Sequence, residues 1–110
     1  MEDYNDKNLQ LFLQNSSFKF KMSISCYKNG DYEMQCEEMI SRKRFNFIIN
    51  VETIRSFTKN YFVKVNRSTF YQFIVDCLCK NKYDISYDEE FKIILKFMNE
   101  DIILTFKNLI

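Results

Sequence analysis

Residues 17–37, SFKFKMSISCYKNGDYEMQCE, contain two runs of alternating apolar and polar residues with one turn between them. Such alternation is typical of strands that bury one face, so the segment predicts a β-hairpin. A two-residue Asn29-Gly30 loop would put the two apolar sets on opposite faces, whereas a three-residue loop, Lys28-Asn29-Gly30, puts them on the same face. The longer loop also places Gly30, the only glycine of the chain, at the left-handed position of a type I turn followed by a bulge. The pairs predicted by this register are Cys26–Tyr32, Ile24–Met34, Met22–Cys36 and Lys21–Glu37.

The next segment predicts a third strand and a short helix. A basic turn at residues 41–44 leads into the strand, whose alternating apolar residues are Phe45, Phe47 and Ile49. Asn50 can then cap a helix on which Val51, Ile54 and Phe57 recur at helical spacing. Residues 61–65 are interpreted as an extended link.

A second helix is predicted over residues 67–80, with Asn66 or Ser68 near its start. Lys80-Asn81-Lys82 is a suitable end, because cations favour the negative end of the helix dipole and asparagine tolerates a left-handed cap. The residues predicted to face the core recur at helical spacing. They are Phe70, Phe73, Ile74, Cys77 and Leu78.

Three strands are predicted at the C-terminal end, over residues 83–87, 91–97 and 102–106. A two-residue loop at Asn99-Glu100 would pair apolar residues with apolar residues, namely Phe97 with Ile102, Leu95 with Leu104 and Ile93 with Phe106. The predicted fold is therefore α+β, with an antiparallel β-sheet of about six strands in the order β-β-β-α-α-β-β-β and two helices packed on one face.

The N-terminal segment, residues 1–16, is expected to be partly flexible, and residues 17–110 are expected to form a single α+β domain. Within residues 1–16, the apolar run 9–13 fits a short strand and one helical turn equally well. The sequence contains no run of about 18 apolar residues and begins with acidic residues, so neither a transmembrane segment nor a signal peptide is predicted. A cytoplasmic location and no contact with a membrane are therefore expected.

The order of strands, helix pair and strands resembles that of the globular heads that precede coiled coils in DNA end-joining scaffolds and centriolar cartwheel proteins. No motif of this chain matches those proteins residue by residue, so the resemblance implies no site residue.

The composition excludes several classes of function. The chain has no histidine and one glycine, which removes His-based catalytic groups, His metal sites and glycine-rich phosphate loops. Cys26, Cys36 and Cys77 fall on predicted core faces, Cys79 is expected to be the most exposed, and no Cys-x-x-Cys spacing is present. The carboxylates of residues 84–101 are interpreted as turn and edge residues. We therefore expect no enzyme activity, no catalytic residue, no metal site and no cofactor.

Positive charge is concentrated in the middle of the chain. Residues 41–82 contain nine Lys and Arg residues against two Asp and Glu residues, a net charge of +7, whereas the flanking segments are each −3. Cations interleaved with aromatic rings are typical of surfaces that bind single-stranded RNA. Alternatively, basic helices and acidic strands complement each other within one fold. The candidate partner-binding residues are Arg42, Lys43, Arg44, Arg55, Lys59, Tyr61, Phe62, Lys64, Arg67 and Tyr71.

These constraints leave two functions. The first is a non-catalytic protein–protein interaction module, a small subunit or adaptor that docks through its helix pair or an exposed strand edge. Aromatic residues make up 17% of the chain, and surplus apolar surface in a small domain favours a protein partner or a homo-oligomer. Part of this surplus reflects an AT-rich genome, because Lys, Asn, Ile, Phe and Tyr form about half of the chain. The alternative is a nucleic-acid- or ribosome-associated factor that binds RNA, or an acidic protein, through residues 41–82.

Overall fold

The computed structural model describes residues 4–57, 66–97 and 100–109, and the side chains of residues 9–56, 66–96 and 101–109. Within these ranges the chain forms eight strands and two helices. In chain order they are β1 (Tyr4–Gln14), β2 (Lys19–Tyr27), β3 (Tyr32–Glu38), β4 (Arg44–Ile49), α1 (Val51–Phe57), α2 (Arg67–Cys79), β5 (Tyr83–Tyr87), β6 (Phe91–Phe97), β7 (Glu100–Thr105) and β8 (Lys107–Leu109).

The described strands form two antiparallel sheets. The larger sheet has the strand order β1-β2-β3-β4-β8 and the smaller sheet has the order β5-β6-β7. An α+β fold with antiparallel pairing and two helices is confirmed, but the prediction of about six strands in one sheet is wrong. The additional strands are β1, whose sequence fitted two conformations, and β8, whose three residues are too few to show an alternation.

Aromatic side chains join the two sheets face to face. Phe91 of β6 stacks on Phe20 of β2 with ring centroids 4.5 Å apart, and Phe45 of β4 lies 5.1 Å from Phe91. The second sheet therefore covers the apolar face that the sequence assigned to the helices. The predicted single sheet is wrong because the described strands form two sheets; α1 contacts β4 of the larger sheet, and α2 contacts β6 of the smaller sheet and, through Tyr71, β3 of the larger one.

The hairpin that decides the fold is confirmed residue by residue. Cys26 pairs with Tyr32, Ile24 with Met34, Met22 with Cys36 and Lys21 with Glu37. Gly30 has a φ of +96°, as the predicted turn requires.

The register of the β6–β7 hairpin differs from the prediction by two residues. Phe97 pairs with Glu100, so residues 98–99 lie between the paired ends, and Leu95 pairs with Ile102 and Ile93 with Leu104. A shift of two keeps every side chain on its face, since the side-chain period of a strand is two. The apolar pattern therefore cannot distinguish the two registers.

A turn built by Asn15 makes residues 4–14 a strand rather than a helical turn. The Asn15 side-chain oxygen accepts hydrogen bonds from the N–H groups of Ser17 at 2.9 Å and Phe18 at 2.7 Å. This turn folds β1 back onto β2, and Leu13 enters the core at 1% exposure. That residues 1–16 are partly flexible stays a prediction.

Asparagine side chains cap both helices. Asn50 accepts from the Thr53 N–H at 2.9 Å, and Asn66, rather than Ser68, accepts from the Thr69 N–H at 2.7 Å. Asn81 has a φ of 57°, which confirms the left-handed end of α2. Residues 61–65, predicted to be an extended link, lie outside the described residues. The apolar stripe of α2 is confirmed: Phe70, Ile74, Cys77 and Leu78 are buried and Phe73 is half-buried.

Phe106 marks the point at which the chain crosses from the smaller sheet to the larger one. It is 4% exposed and continues the inward alternation of Ile102 and Leu104 in β7, after which β8 pairs with β4. A strand that changes sheets closes one side of a β-sandwich. The opposite side of the larger sheet ends at β1.

Candidate docking edge and basic segment

Strand β1 is the longest described strand and pairs on one side only, with β2. Leu9, Leu11 and Leu13 point toward the core, whereas Gln10 and Phe12 point away from it. The Phe12 side chain is 64% exposed. An apolar side chain on an edge strand gives a partner strand both backbone groups and a hydrophobic contact.

One hydrogen bond fixes which backbone groups of β2 point to which neighbour. In an antiparallel pair, the N–H and C=O groups of one residue both point toward the partner strand, and those of the next residue both point away from it. The Met39 N–H donates to the Lys19 C=O at 2.9 Å, so the odd-numbered residues of β2 bond to β3. The even-numbered residues, including Met22, therefore bond to β1.

This alternation leaves Gln10 and Phe12 with backbone groups that point away from the sheet. Leu11 is the partner of Met22, so the odd-numbered residues of β1 bond to β2 and the even-numbered residues do not. The Gln14 N–H has this outward direction, since it donates to the Tyr83 hydroxyl at 3.4 Å. The N–H and C=O groups of Gln10 and Phe12 are thus positioned to pair with another strand.

Structural features at both ends limit the part of β1 that can accept another strand. On the N-terminal side, the register of β1 shifts between Tyr4 and Asn8, and such an irregularity bends a strand. On the C-terminal side, Tyr83 and Ile85 of β5 meet Gln14 and Asn15. We call residues 8–12, between these two limits, the docking edge.

The docking edge lacks the charges that protect most natural sheet edges. Residues 8–14 read NLQLFLQ and contain no charged residue, proline or glycine. Proteins usually prevent unwanted strand pairing with charged residues, prolines or bulges on exposed edges. The other three edge strands of the described sheets carry charge at Asp84 in β5, Asp101 in β7 and Lys107 in β8, and β1 itself carries Asp6 and Lys7 on the N-terminal side of the docking edge. The docking edge therefore differs from them in its chemistry.

The turn between β3 and β4 holds the basic candidates Arg42 and Lys43, and the third, Arg44, begins β4. Residue Glu38 is 2% exposed, and its carboxylate accepts hydrogen bonds from the N–H groups of Ile40 at 3.0 Å and Ser41 at 2.8 Å. These backbone hydrogen bonds hold the pKa of Glu38 below its usual value. The turn is therefore built by its own chain. It presents the side chains of Ile40, which is 87% exposed, and of Arg42, Lys43 and Arg44 to solvent.

Three of the basic candidates pair with acidic residues of the same fold. Arg42 lies 3.6 Å from Glu37, Arg55 lies 3.4 Å from Glu52, and Arg67 lies 2.6 Å from Asp31. The Arg67 guanidinium also donates to the Asn29 carbonyl at 3.1 Å, which ties the start of α2 to the β2–β3 turn. The Arg42 and Arg67 pairs agree with the interpretation that basic and acidic segments complement each other, whereas the Arg55 pair lies within the basic segment.

Tyr71 contacts another ring of the same domain. Its ring stacks on Tyr32 at a centroid distance of 4.2 Å and an interplanar angle of 9°. Burial raises the pKa of Tyr71 above its usual value. One face of this candidate stacking residue is therefore used inside the fold.

The basic candidates do not gather in one place. Arg67 and Tyr71 lie beside the start of β3, whereas residues 42–44 lie beside its end, where Arg44 pairs with Glu37. The seven residues of β3 separate these groups by roughly 20 Å at about 3.3 Å per residue. Lys59, Tyr61, Phe62 and Lys64 lie outside the described residues. Their part in the predicted surface, and the surface itself, stay predictions.

The outer face of the larger sheet holds a shallow groove and a buried carboxylate. The groove, about 210 Å³, is lined by Lys21, Glu37, Arg44 and Leu109 among others, and is smaller than the roughly 300–1,000 Å³ typical of small-molecule sites. Burial raises the pKa of Glu33, but hydrogen bonds from Asn46, Tyr27 and Gln35 outweigh that effect and lower it. The network ties β2, β3 and β4 together.

The cysteines are placed as the sequence predicts. Cys36 and Cys77 are buried, Cys26 is half-buried and Cys79 is exposed. Burial raises the pKa of the Cys36 and Cys77 thiols, which disfavours the reactive thiolate.

The carboxylates of Asp84 and Asp101 lie on either side of Lys96, at 3.4 Å and 3.1 Å from its ammonium nitrogen. Among the described side chains, no three Cys, Asp or Glu residues form a group that could hold a metal ion.

The fold and its edges were compared with known proteins. No protein-family model, curated protein or solved structure matches the chain. In the described part of the chain, neither helix has the length and apolar character needed to cross a membrane.

Sequence reasoning named no residue of the docking edge as a partner-binding residue. The available signal was the uncharged run of residues 8–14. Phe12 stands where a regular alternation would have a polar residue, so the run fits a strand and a helical turn equally well. An edge strand could therefore not be predicted from it.

Proposed function

We propose that this protein is a non-catalytic interaction module, a small subunit or adaptor that joins a larger assembly by pairing β1 with a strand of its partner. The supporting observation is the docking edge, in which residues 8–12 carry no charge and Gln10 and Phe12 present backbone groups and an exposed ring. Backbone pairing supplies the affinity in this mode of recognition, and pockets or exposed side chains supply the specificity.

Proline at position 10 tests the proposal without breaking the sheet. The Gln10 N–H points away from β2, so Gln10→Pro removes one group of the docking edge and no hydrogen bond to β2. Leu11→Pro is the matched control, because the Leu11 N–H bonds to Met22 and the loss of this hydrogen bond destabilises the domain. We expect Gln10→Pro to keep the unfolding midpoint and to lose the proteins that the wild type retains in a pull-down from its own cells.

The proposal fails if purified wild type is monomeric by light scattering and retains no protein that Gln10→Pro loses. A circular-dichroism melt of each variant shows whether the domain is folded, so loss of binding is separated from loss of structure. Phe12→Ser keeps the backbone groups and removes the ring, and we expect it to weaken binding less than Gln10→Pro does.

The alternative, RNA binding through residues 41–82, is supported by the exposed cations of the β3–β4 turn. Its test is the binding of single-stranded RNA at low and high salt by the wild type and by the triple variant Arg42→Ala, Lys43→Ala, Arg44→Ala. RNA binding predicts an affinity that falls steeply with salt, with a shallower dependence in the triple variant. Equal, weak binding by both proteins at low ionic strength contradicts it.

A further inference from the structure

We infer that the partner strand at the docking edge is β1 of a second copy of this chain, so that two five-stranded sheets join into one ten-stranded sheet. This inference rests on the proposed function and names its partner. The two strands would run antiparallel about a two-fold axis at Gln10.

The outward direction of the backbone groups of even-numbered residues permits this pairing. An antiparallel pair needs the outward-pointing residues of one strand opposite the outward-pointing residues of the other. With the axis at Gln10, Gln10 faces Gln10 of the second copy, and Phe12 faces residue 8. All these residues are even-numbered, and even-numbered residues of β1 point away from β2.

Charge permits the same pairing. When a strand pairs with its own copy, any charged residue near the axis comes close to its identical residue, and like charges opposite each other destabilise a sheet. Residues 8–12 carry no charge, and with the axis at Gln10 the nearest charged residue, Lys7, faces Leu13 of the second copy, so no like charges lie opposite each other. The charged edges β5, β7 and β8 are less suited to accept a copy of themselves.

The boundaries of the docking edge select the register. An axis at Phe12 would place Gln14 opposite Gln10 of the second copy, yet the outward Gln14 N–H already donates to the Tyr83 hydroxyl beside β5. An axis at Gln10 confines the contact to residues 8–12 of both copies. Because each copy uses the same edge, the pairing closes as a dimer and does not continue into a fibre.

A contact of five residues on each side is far smaller than the roughly 20–30 residues per side of a standard interface, so the dimer is weak. We expect it to be half-formed at a concentration on the order of 100 µM. Sedimentation equilibrium between about 5 µM and 1 mM measures this association. The mass of the wild type should rise from 13.5 kDa toward twice that value, and Gln10→Pro should remain at 13.5 kDa.

Disulfide cross-linking tests the paired edge independently. In a Cys79→Ser background, which removes the exposed native thiol, Gln10→Cys should form a cross-linked dimer at least several-fold faster than Lys107→Cys on the far edge of the sheet. Equal cross-linking rates overturn pairing at this edge, and dimers of Gln10→Pro as strong as those of the wild type overturn the inference.

Failure of self-pairing can be distinguished from failure of the interaction module. A wild type that is monomeric up to about 1 mM, while Gln10→Pro still loses a different protein in the pull-down, refutes self-pairing and leaves the interaction module intact. A monomeric wild type with no protein lost by Gln10→Pro refutes both.

Discussion

Replacing Gly30 by alanine should destabilise the domain through two separate causes. A Cβ at Gly30 would lie 2.8 Å from the Arg67 guanidinium, and alanine is also strained at a φ of +96°. The strain costs about 1–2 kcal/mol. The Arg67 side chain is flexible and can move away, but it then gives up its contacts with Asp31 and the Asn29 carbonyl.

The loss of those contacts adds about 1–2 kcal/mol, because the pair is partly exposed and charge-assisted. Gly30→Ala should therefore lower the free energy of unfolding by about 2–4 kcal/mol, a large fraction of the roughly 5–15 kcal/mol of a typical domain. In an Arg67→Ala background only the strain remains, so the same substitution should cost about 1–2 kcal/mol there.

Urea unfolding of the four proteins of this double-mutant cycle provides the measurement. Gly30→Asn is a useful control, since asparagine tolerates the left-handed conformation better but still carries the Cβ that displaces Arg67. Equal costs of Gly30→Ala in both backgrounds, within about 0.5 kcal/mol, would refute the role of Arg67 as the group displaced.

Two further predictions concern the core and the buried carboxylates. Phe91→Ala removes a fully buried ring that contacts Phe20, Phe45 and Phe106, and should lower the free energy of unfolding in urea by about 3–5 kcal/mol. Phe12 is exposed, so Phe12→Ala should change it by less than about 0.5 kcal/mol. Similar costs of the two substitutions would contradict the face-to-face packing. The pKa values of Glu33 and Glu38 are lowered by folding, so their contribution to stability is present above the unfolded value of about 4.3 and is lost as pH falls through the folded values. The wild type should therefore lose more stability between pH 5 and pH 3 than the Glu38→Gln variant, and equal losses would show that the carboxylate is not held by the turn.

The sequence predicts those parts of the fold in which local chemistry and apolar pattern agree. The Gly30 hairpin was predicted to the residue because only one loop length satisfied both the turn and the buried face. In the β6–β7 hairpin, two registers place the same residues on the same faces, so the pattern identified the strands but not their pairing. The division into two sheets was missed because it depends on packing between distant strands, such as that of Phe20 against Phe91.

The candidate site was harder to predict than the fold. The cations of residues 41–82 belong to one segment of the sequence, yet Arg67 and residues 42–44 lie near opposite ends of β3. Arg42 and Arg67 pair with acidic residues outside this segment, and Arg55 pairs with Glu52 within its own helix. Conversely, the docking edge depends on which backbone groups of β1 are left without a neighbour. That is a property of strand order, which no single segment encodes.

Amide hydrogen exchange of β1, measured residue by residue by NMR, tests the docking edge most directly. In dilute solution the amides of Leu9, Leu11 and Leu13 should exchange slowly and those of Gln10 and Phe12 quickly, because only the first group bonds to β2. At high protein concentration the Gln10 and Phe12 amides should become protected while the others stay unchanged. Protection of Gln10 and Phe12 in the dilute protein, or unchanged fast exchange at every concentration and with every retained partner, would contradict the account.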